Sequence, residues 1–402
     1  MIEEFEARRR ILEATPVGWV EPIEVADAVG RYLAKPIVGT VDLPGFDNSA
    51  MDGYAVRSEE AARAGVRLRV VGERAAGAGD ESGRVNSGEA IRIYTGAPLP
   101  GGADAVIMQE DVTRAGDDIV VNVPIVAGEF IRRRGGDVCV GQRLFDSGTR
   151  LDASAVGVLA SQGIAEVAVH RRPNVAVVTT GDELVDPGSS LESGQIFNSN
   201  GPMLTALARQ FGAERVRAFH AVDDPVTLSR TLTEALEFGD LVLIAGGVSV
   251  GERDFVKSQL SDLGVTTDFW RVRVKPGKPF LFGQLRETRI FGLPGNPVSA
   301  YVTFLLFAAP AMIRWQGGEP SEELPLRRER RPLATDLKNR GDRPHYLRVK
   351  VDSEGRWAPV GRQESHALFG LSRADALLRL DGEQDLKVGE IAAGFLLKSQ
   401  VE

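Results

Sequence analysis

Hydrophobic residues between positions 174 and 316 fall in short runs that alternate with segments of helical period. The clearest run is 241–245, LVLIA, five apolar residues in succession. It is too short for a helix and reads as a buried parallel strand. The same reading gives strands at 174–180, 215–221, 267–274, 279–283 and 289–293. Helices are expected at 202–211, 225–237, near 254–262 and from 297 to about 314. Strand and helix in alternation predict a doubly wound α/β unit beginning after Pro173.

The flanking regions follow other rules. Residues 2–14 place Ile2, Phe5, Ile11 and Leu12 at roughly helical spacing and stop before Pro16. A strand-like EPIEV precedes a second expected short helix at 25–34. Residues 67–144 alternate over short, glycine-punctuated stretches with no helix candidate, so an all-β sandwich or barrel is expected. Residues 152–163 read as a helix capped by Asp152 or Ser154, and 167–170 as a strand. After a linker at 317–320, residues 322–402 read as short strands with one helix-like piece near 371–378.

Composition narrows the function. The chain has 402 residues, more than one compact core accommodates, with 43% hydrophobic and 26% charged residues. A formal charge of −8 argues against a general nucleic-acid or membrane-surface binder. No window reads as an uninterrupted apolar membrane span, and the charged start MIEEFEARRR is unlike a secretory signal, so a cytoplasmic location is expected. The single cysteine, Cys139, excludes an internal disulfide and a cysteine-cluster metal site. His170, His220, His345 and His366 are scattered, without a pair at metal-ligand spacing.

The candidate chemistry sits where strands end. After 241–245 come Gly246 and Gly247, then Ser249, Gly251, Glu252 and Asp254. Glycines let the backbone turn and approach a ligand, and ligands collect at the carboxyl ends of strands in open α/β sheets. The plainer alternative is a strand stop followed by solvated acids. TTGDEL (179–184) repeats the plan with Gly181, Asp182 and Glu183, and a Pro-Gly turn carries Lys275 and Lys278. A Pro/Gly-rich loop with Pro294 and Pro297 follows the 289–293 strand. Carboxylates, lysines and Gly-rich loops together suit a phosphate-bearing ligand with a divalent cation. Upstream, 41–56 reads as a loop holding Asp47, Asn48, Ser49 and Asp52 among Phe46, Met51 and Tyr54. Arg132, Arg133 and Arg134 allow either a charge-blunted edge strand or an anion site.

FDNSAMDGYAV (46–56), TGAPLPGGADAVIMQE (95–110), IRRRGGD (131–137), TTGDEL (179–184), GQIFNSN (194–200), GGVSVGERDF (246–255), KPGKPF (275–280) and GLPGNPVSA (292–300) closely resemble the molybdopterin molybdotransferase (MoeA) family, which includes the gephyrin E domain. The resemblance runs in order through almost the whole chain. It implies insertion of molybdate into adenylylated molybdopterin with release of AMP, requiring Mg²⁺ or another divalent cation. It also implies a homodimer with a cleft shared between subunits, and leaves room for docking to a molybdopterin adenylyltransferase. The implied architecture is multidomain α/β plus β: an elongated linking domain (1–43 and 143–172), a β-rich domain (44–142), a MogA-like doubly wound α/β domain (173–316) and a small β-barrel-like C-terminal domain (317–402).

By the same resemblance, Asp52, Thr95, Asp137, Lys275 and Lys278 are implied as catalytic. Glu183 and Asp254 are implied as metal ligands. Ser49, Gly246, Gly247, Ser249, Gly251, Pro294, Pro297, Arg271, Arg343 and Ser365 are implied in substrate binding. Arg271 stands where some relatives carry lysine, which keeps charge but not point geometry. A tungstate-inserting paralogue and a non-catalytic scaffold of the gephyrin type are the alternatives.

Overall fold

The computed structural model describes residues 1–77, 83–247, 255–320 and 323–398. Its largest core is built on a six-stranded sheet in the order Arg215–Ala221, Asn174–Thr180, Leu241–Ala245, Thr288–Leu293, Leu281–Leu285, Thr266–Trp270. The first four strands are mutually parallel and the last two antiparallel, so the sheet is mixed. Leu241–Ala245 is buried along its whole length because helices cover both faces of the sheet. Leu204, Leu207 and the Pro297–Trp315 helix pack on one face; Leu228, Leu232, Val256 and Leu260 pack on the other. The doubly wound expectation holds, with an antiparallel edge added.

The helix Pro297–Trp315 has the length and hydropathy of a membrane span, and 83% of that span is buried inside the fold. It is the central core helix. Its middle turn, Phe304–Ala308, widens to π geometry just ahead of Pro310. Proline has no N–H for the ladder and its ring crowds the preceding turn, and a wider turn relieves both. The N-terminal helix Glu4–Ala14 joins the same core through Ala7 and Ile11, leaving Phe5 exposed.

A second six-stranded sheet orders Ala105–Met108, Gly53–Val56, Glu89–Ile93, Arg67–Arg74, Asp118–Val121, Val112–Ala115. All its pairings are antiparallel except Arg67–Arg74 with Glu89–Ile93. Two distant segments share a further core, in which Val25, Ala28 and Leu33 meet Leu151, Leu159 and Val169. Strand Val20–Glu24 pairs there with Glu166–His170. Asp152 caps helix Ala153–Ser161 by accepting from the Ala155 N–H at 2.8 Å. The C-terminal sheet is antiparallel and five-stranded, in the order Arg328–Pro332, Ile391–Leu396, Ala376–Leu380, His345–Val351, Trp357–Pro359.

Two expected helices are corrected. Residues 25–34 form only a 3₁₀ turn at Val25–Asp27, because Gly30 adopts a φ of +79° and Tyr32 and Leu33 are drawn into bridges with Arg150 and Val169. Near the C-terminus the helix is Leu368–Ser372, while Ala376–Leu380 is a central strand whose apolar residues fill a sheet core. Tertiary pairing overrides the local periodicity in both places.

Candidate active site

A cleft of about 790 Å³ opens at the carboxyl ends of Asn174–Thr180, Leu241–Ala245 and Thr288–Leu293. Asn174–Thr180 is flanked by Arg215–Ala221 on one side and Leu241–Ala245 on the other, so the winding reverses there. Such a switch point leaves a crevice between loops that diverge in opposite directions. The local sequence keeps it open. Gly246 has a φ of +100°, and a Cβ on it would meet Thr180 Oγ1 at 2.8 Å and Thr180 O at 2.9 Å. Only glycine lets this turn lie against the neighbouring strand end.

Of the expected residues, Glu183, Gly246, Gly247, Pro294 and Pro297 line this cleft. The Glu183 carboxylate folds over Gly181 and has no ion-pair or side-chain hydrogen-bond partner among the described residues. Ser249, Gly251 and Asp254 lie outside the described residues. Ser365 reaches the rim from the C-terminal region: its carbonyl accepts from Val298 N–H at 3.1 Å, and its hydroxyl accepts from Asn296 Nδ2 at 3.0 Å.

The basic residues form an adjoining group. Lys275 and Lys278 are exposed, without ion-pair partners among the described residues, and Lys278 precedes the cleft-lining Pro279. Lys275 is tied by its backbone to Pro344 and Tyr346, which brings Arg343 alongside, donating to Val274 O at 3.1 Å. His345 is buried among these cations; burial first, then Lys275, Arg348 and Arg343, pull its pKa down to about 4. Arg271 instead stacks its guanidinium over Trp270 at 4.1 Å.

Asp52 and Thr95 flank strands Gly53–Val56 and Glu89–Ile93 of the second sheet, while Ser49 belongs to a separate two-stranded ladder and Asp137 to the turn that follows it. Asp52 Oδ1 accepts from the Thr95 N–H at 2.8 Å and from its hydroxyl at 2.7 Å. Those two donors hold the Asp52 carboxyl below the usual carboxylate range. Ser49 is fully buried; its hydroxyl donates to Met51 O and its backbone bonds Gly96 and Ala97, so it shapes the loop from within. Strand Asn48–Ser49 pairs with Ile131–Arg132, which leads into the turn holding exposed Asp137. Arg133 and Arg134 are committed to Asp47 and Asp42, each at 2.6 Å, so these two arginines pin loops together.

Several cleft residues carry no charge signature and escaped the residue-level reading: Thr180, Asn198, Asn200, Asn296 and His366. Asn198 donates to Thr179 Oγ1 at 2.8 Å and accepts from Gly201 N–H, and Asn200 donates to Gly295 O at 2.6 Å. The GQIFNSN stretch was the available signal. Two asparagines bracketing a serine at a helix start are turn formers that also tie loops together.

Comparison with known proteins fits this geometry. The chain matches the MoeA N-terminal region (domain I and II) over residues 2–163, a probable molybdopterin binding domain over 176–314, and the MoeA C-terminal region (domain IV) over 330–394. The chain belongs to the MoeA family. It is 36% identical to the molybdopterin molybdenumtransferase of Haemophilus influenzae over 396 residues, covering 97% of this chain and 96% of the relative. A second molybdopterin molybdenumtransferase, from Synechococcus elongatus, is 36% identical and covers 93% of each chain. The crystal structure of the molybdopterin biosynthesis moeA protein from Pyrococcus horikoshii OT3 superposes with a TM-score of 0.85 at 30% identity, covering 98% of this chain and all of that one. The MoeA-like multidomain architecture therefore stands.

Proposed function

We propose that this MoeA-family protein is a molybdopterin molybdenumtransferase that inserts molybdate into adenylylated molybdopterin and releases AMP. The observation that carries the reading is the switch-point cleft, where Glu183, without an ion-pair partner among the described residues, adjoins the Gly246–Gly247 turn and the loop carrying exposed Lys275 and Lys278. Full-length similarity to proteins named for that transfer supports it.

Each part has a task in this chemistry. Glycine turns expose backbone N–H groups to phosphate oxygens, and the lysines supply positive charge to anionic oxyanion and phosphates. Glu183 fits a divalent cation of the magnesium type, which takes one or two protein carboxylates and completes its shell with water and substrate phosphates. Asp254, the second carboxylate that the family resemblance implies, lies outside the described residues. Bound at Glu183, the cation would neutralise charge on the phosphoanhydride as AMP leaves. The dithiolene sulfurs belong to the substrate, so a lone exposed Cys139 suffices.

Asp52, Thr95 and Asp137 complete the reading from a second subunit. The residues lining the cleft all fall between positions 180 and 368, whereas the Asp52–Thr95 pair belongs to the other sheet. A homodimer that places one subunit's pair opposite its partner's cleft gives Asp52 the task of orienting molybdate or accepting protons as oxo groups leave.

The test is AMP release from adenylylated molybdopterin with Mg²⁺ and no oxyanion, molybdate or tungstate. Molybdate-dependent release that collapses in Glu183→Gln is expected. Absence of release with every oxyanion, despite tight binding of the adenylylated pterin, would overturn the reading in favour of a scaffold. Faster release with tungstate would change the oxyanion assignment.

A further inference from the structure

One wall of the cleft is delivered by a loop from the C-terminal sheet. His366 and Leu368 line the cavity, and Ser365 bonds the Asn296 side chain and the first turn of the core helix. The segment 361–367 has no strand partners of its own, and ordering such a segment is entropically costly. What orders it is a buried cation. Arg348, 1% exposed, lies in strand His345–Val351, fourth of the five, and turns its guanidinium into the loop. Nη1 donates to Ala367 O at 3.0 Å; Nη2 donates to Arg362 O and, at 3.2 Å, to Glu364 O. Nε donates to Gln363 Oε1 at 3.4 Å, while the Gln363 amide returns a bond to Arg348 O at 3.0 Å.

Every side-chain acceptor in this set is a carbonyl, backbone or amide; no carboxylate forms an ion pair with Arg348 among the described residues. The fork therefore draws three backbone carbonyls, at 362, 364 and 367, toward the sheet; the Glu364 carbonyl also accepts from the Ala367 N–H at 3.1 Å. Pulling those carbonyls inward leaves Ser365 and His366 to face the cleft. Gly361, at a φ of +63°, closes the loop against Gly370, where a Cβ would come within 2.9 Å of the Gly370 Cα.

We propose that Arg348 is a positioning residue for the cleft: it moulds residues 361–367 so that Ser365 and His366 are held against the Asn296–Val298 end of the core helix. Arg348 itself lines no part of the cleft, so it acts through the loop. This inference rests on the transferase reading for its kinetic consequence, and on the hydrogen bonds alone for its structural one. A wall that contacts bound substrate without touching the reacting atoms contributes uniform binding, which shows in KM rather than kcat. Lysine keeps the charge but has only three donors on a point ammonium, so it cannot serve the same carbonyls as a planar fork.

The experiment compares wild type with Arg348→Lys, Arg348→Ala and the milder Gln363→Ala, using the full chain. KM for adenylylated molybdopterin is expected to rise about tenfold in Arg348→Lys, with kcat within about threefold. Millimolar guanidinium should restore KM in Arg348→Ala, because it refills the vacated site. Hydrogen exchange at residues 361–368 and at the Val298 amide should quicken, while strand His345–Val351 stays protected. Unchanged KM with a loosened loop would overturn the proposal, as would unchanged loop protection. Loss of kcat in step with unfolding of the C-terminal sheet, without guanidinium rescue, would also overturn it and leave Arg348 a stability residue. If wild type releases no AMP, the transferase reading falls separately, and the exchange data alone decide on Arg348.

Discussion

His345 makes the acid stability of this protein calculable. It is 7% exposed and lies near Lys275, Arg343 and Arg348, so protonating it places a buried fourth positive charge beside three others. Its native pKa lies near 4 against a reference of 6.5. At pH below 6.5 the unfolded chain takes up a proton that the native chain refuses, so stability falls with pH until the native group also titrates near 4. Above pH 6.5 the contribution is intact. Integrating between these values gives a loss of about 2 kcal/mol on going from pH 7.5 to 5.0. Solvent that reaches Lys275 and Arg343 screens part of this, which brings the expected loss to about 1–2 kcal/mol.

The assay is urea unfolding of wild type and His345→Gln at pH 7.5, 6.5, 5.5 and 5.0. It is read by fluorescence of Trp357, fully buried in the same sheet, in a background with the other tryptophans replaced. The wild type should lose about 1–2 kcal/mol more than the variant over that range. Carboxylates with lowered pKa, such as Asp42 and Asp47, titrate in both proteins and cancel in the difference. Parallel stability curves for the two proteins would refute the reasoning.

Two further substitutions probe the architecture. Tyr346→Phe removes the hydroxyl that donates to Glu4 Oε1 at 2.6 Å and leaves a half-buried carboxylate short of a donor; it should cost about 1–3 kcal/mol in urea unfolding and speed amide exchange in helix Glu4–Ala14. Gly246→Ala must adopt a φ of +100° and push on Thr180; a stability loss of about 1–3 kcal/mol, with weaker binding of adenylylated molybdopterin by calorimetry, is expected, and a neutral result would show that the turn tolerates a side chain.

Much of the α/β core was written in local sequence. Runs such as 241–245 are apolar at every position because a strand covered on both faces has no polar side to show, and the Gly-Gly stop marks where it ends. Site chemistry was legible where residue type is costly to hide: glycines at a tight turn, a carboxylate at a strand end, lysines around a Pro-Gly turn. Local sequence was silent on partners that meet through folding. It misplaced a helix at 25–34, where bridges to Arg150 and Val169 decide the backbone, and ran the helix-like piece near 371–378 into Ala376–Leu380, where neighbouring strands decide it. It could not show that Ser49 points inward, or that Arg133 and Arg134 are already neutralised by Asp47 and Asp42. Nor could it show that Arg348 shapes one wall of a cleft that it does not itself line. Periodicity and turn chemistry depend on near neighbours and are carried by the chain itself. Charge pairing, burial of single polar groups and the convergence of loops depend on residues beyond the reach of local periodicity, 14 positions apart for Arg348 and Arg362 and 92 for Arg134 and Asp42, and only the tertiary structure settles them.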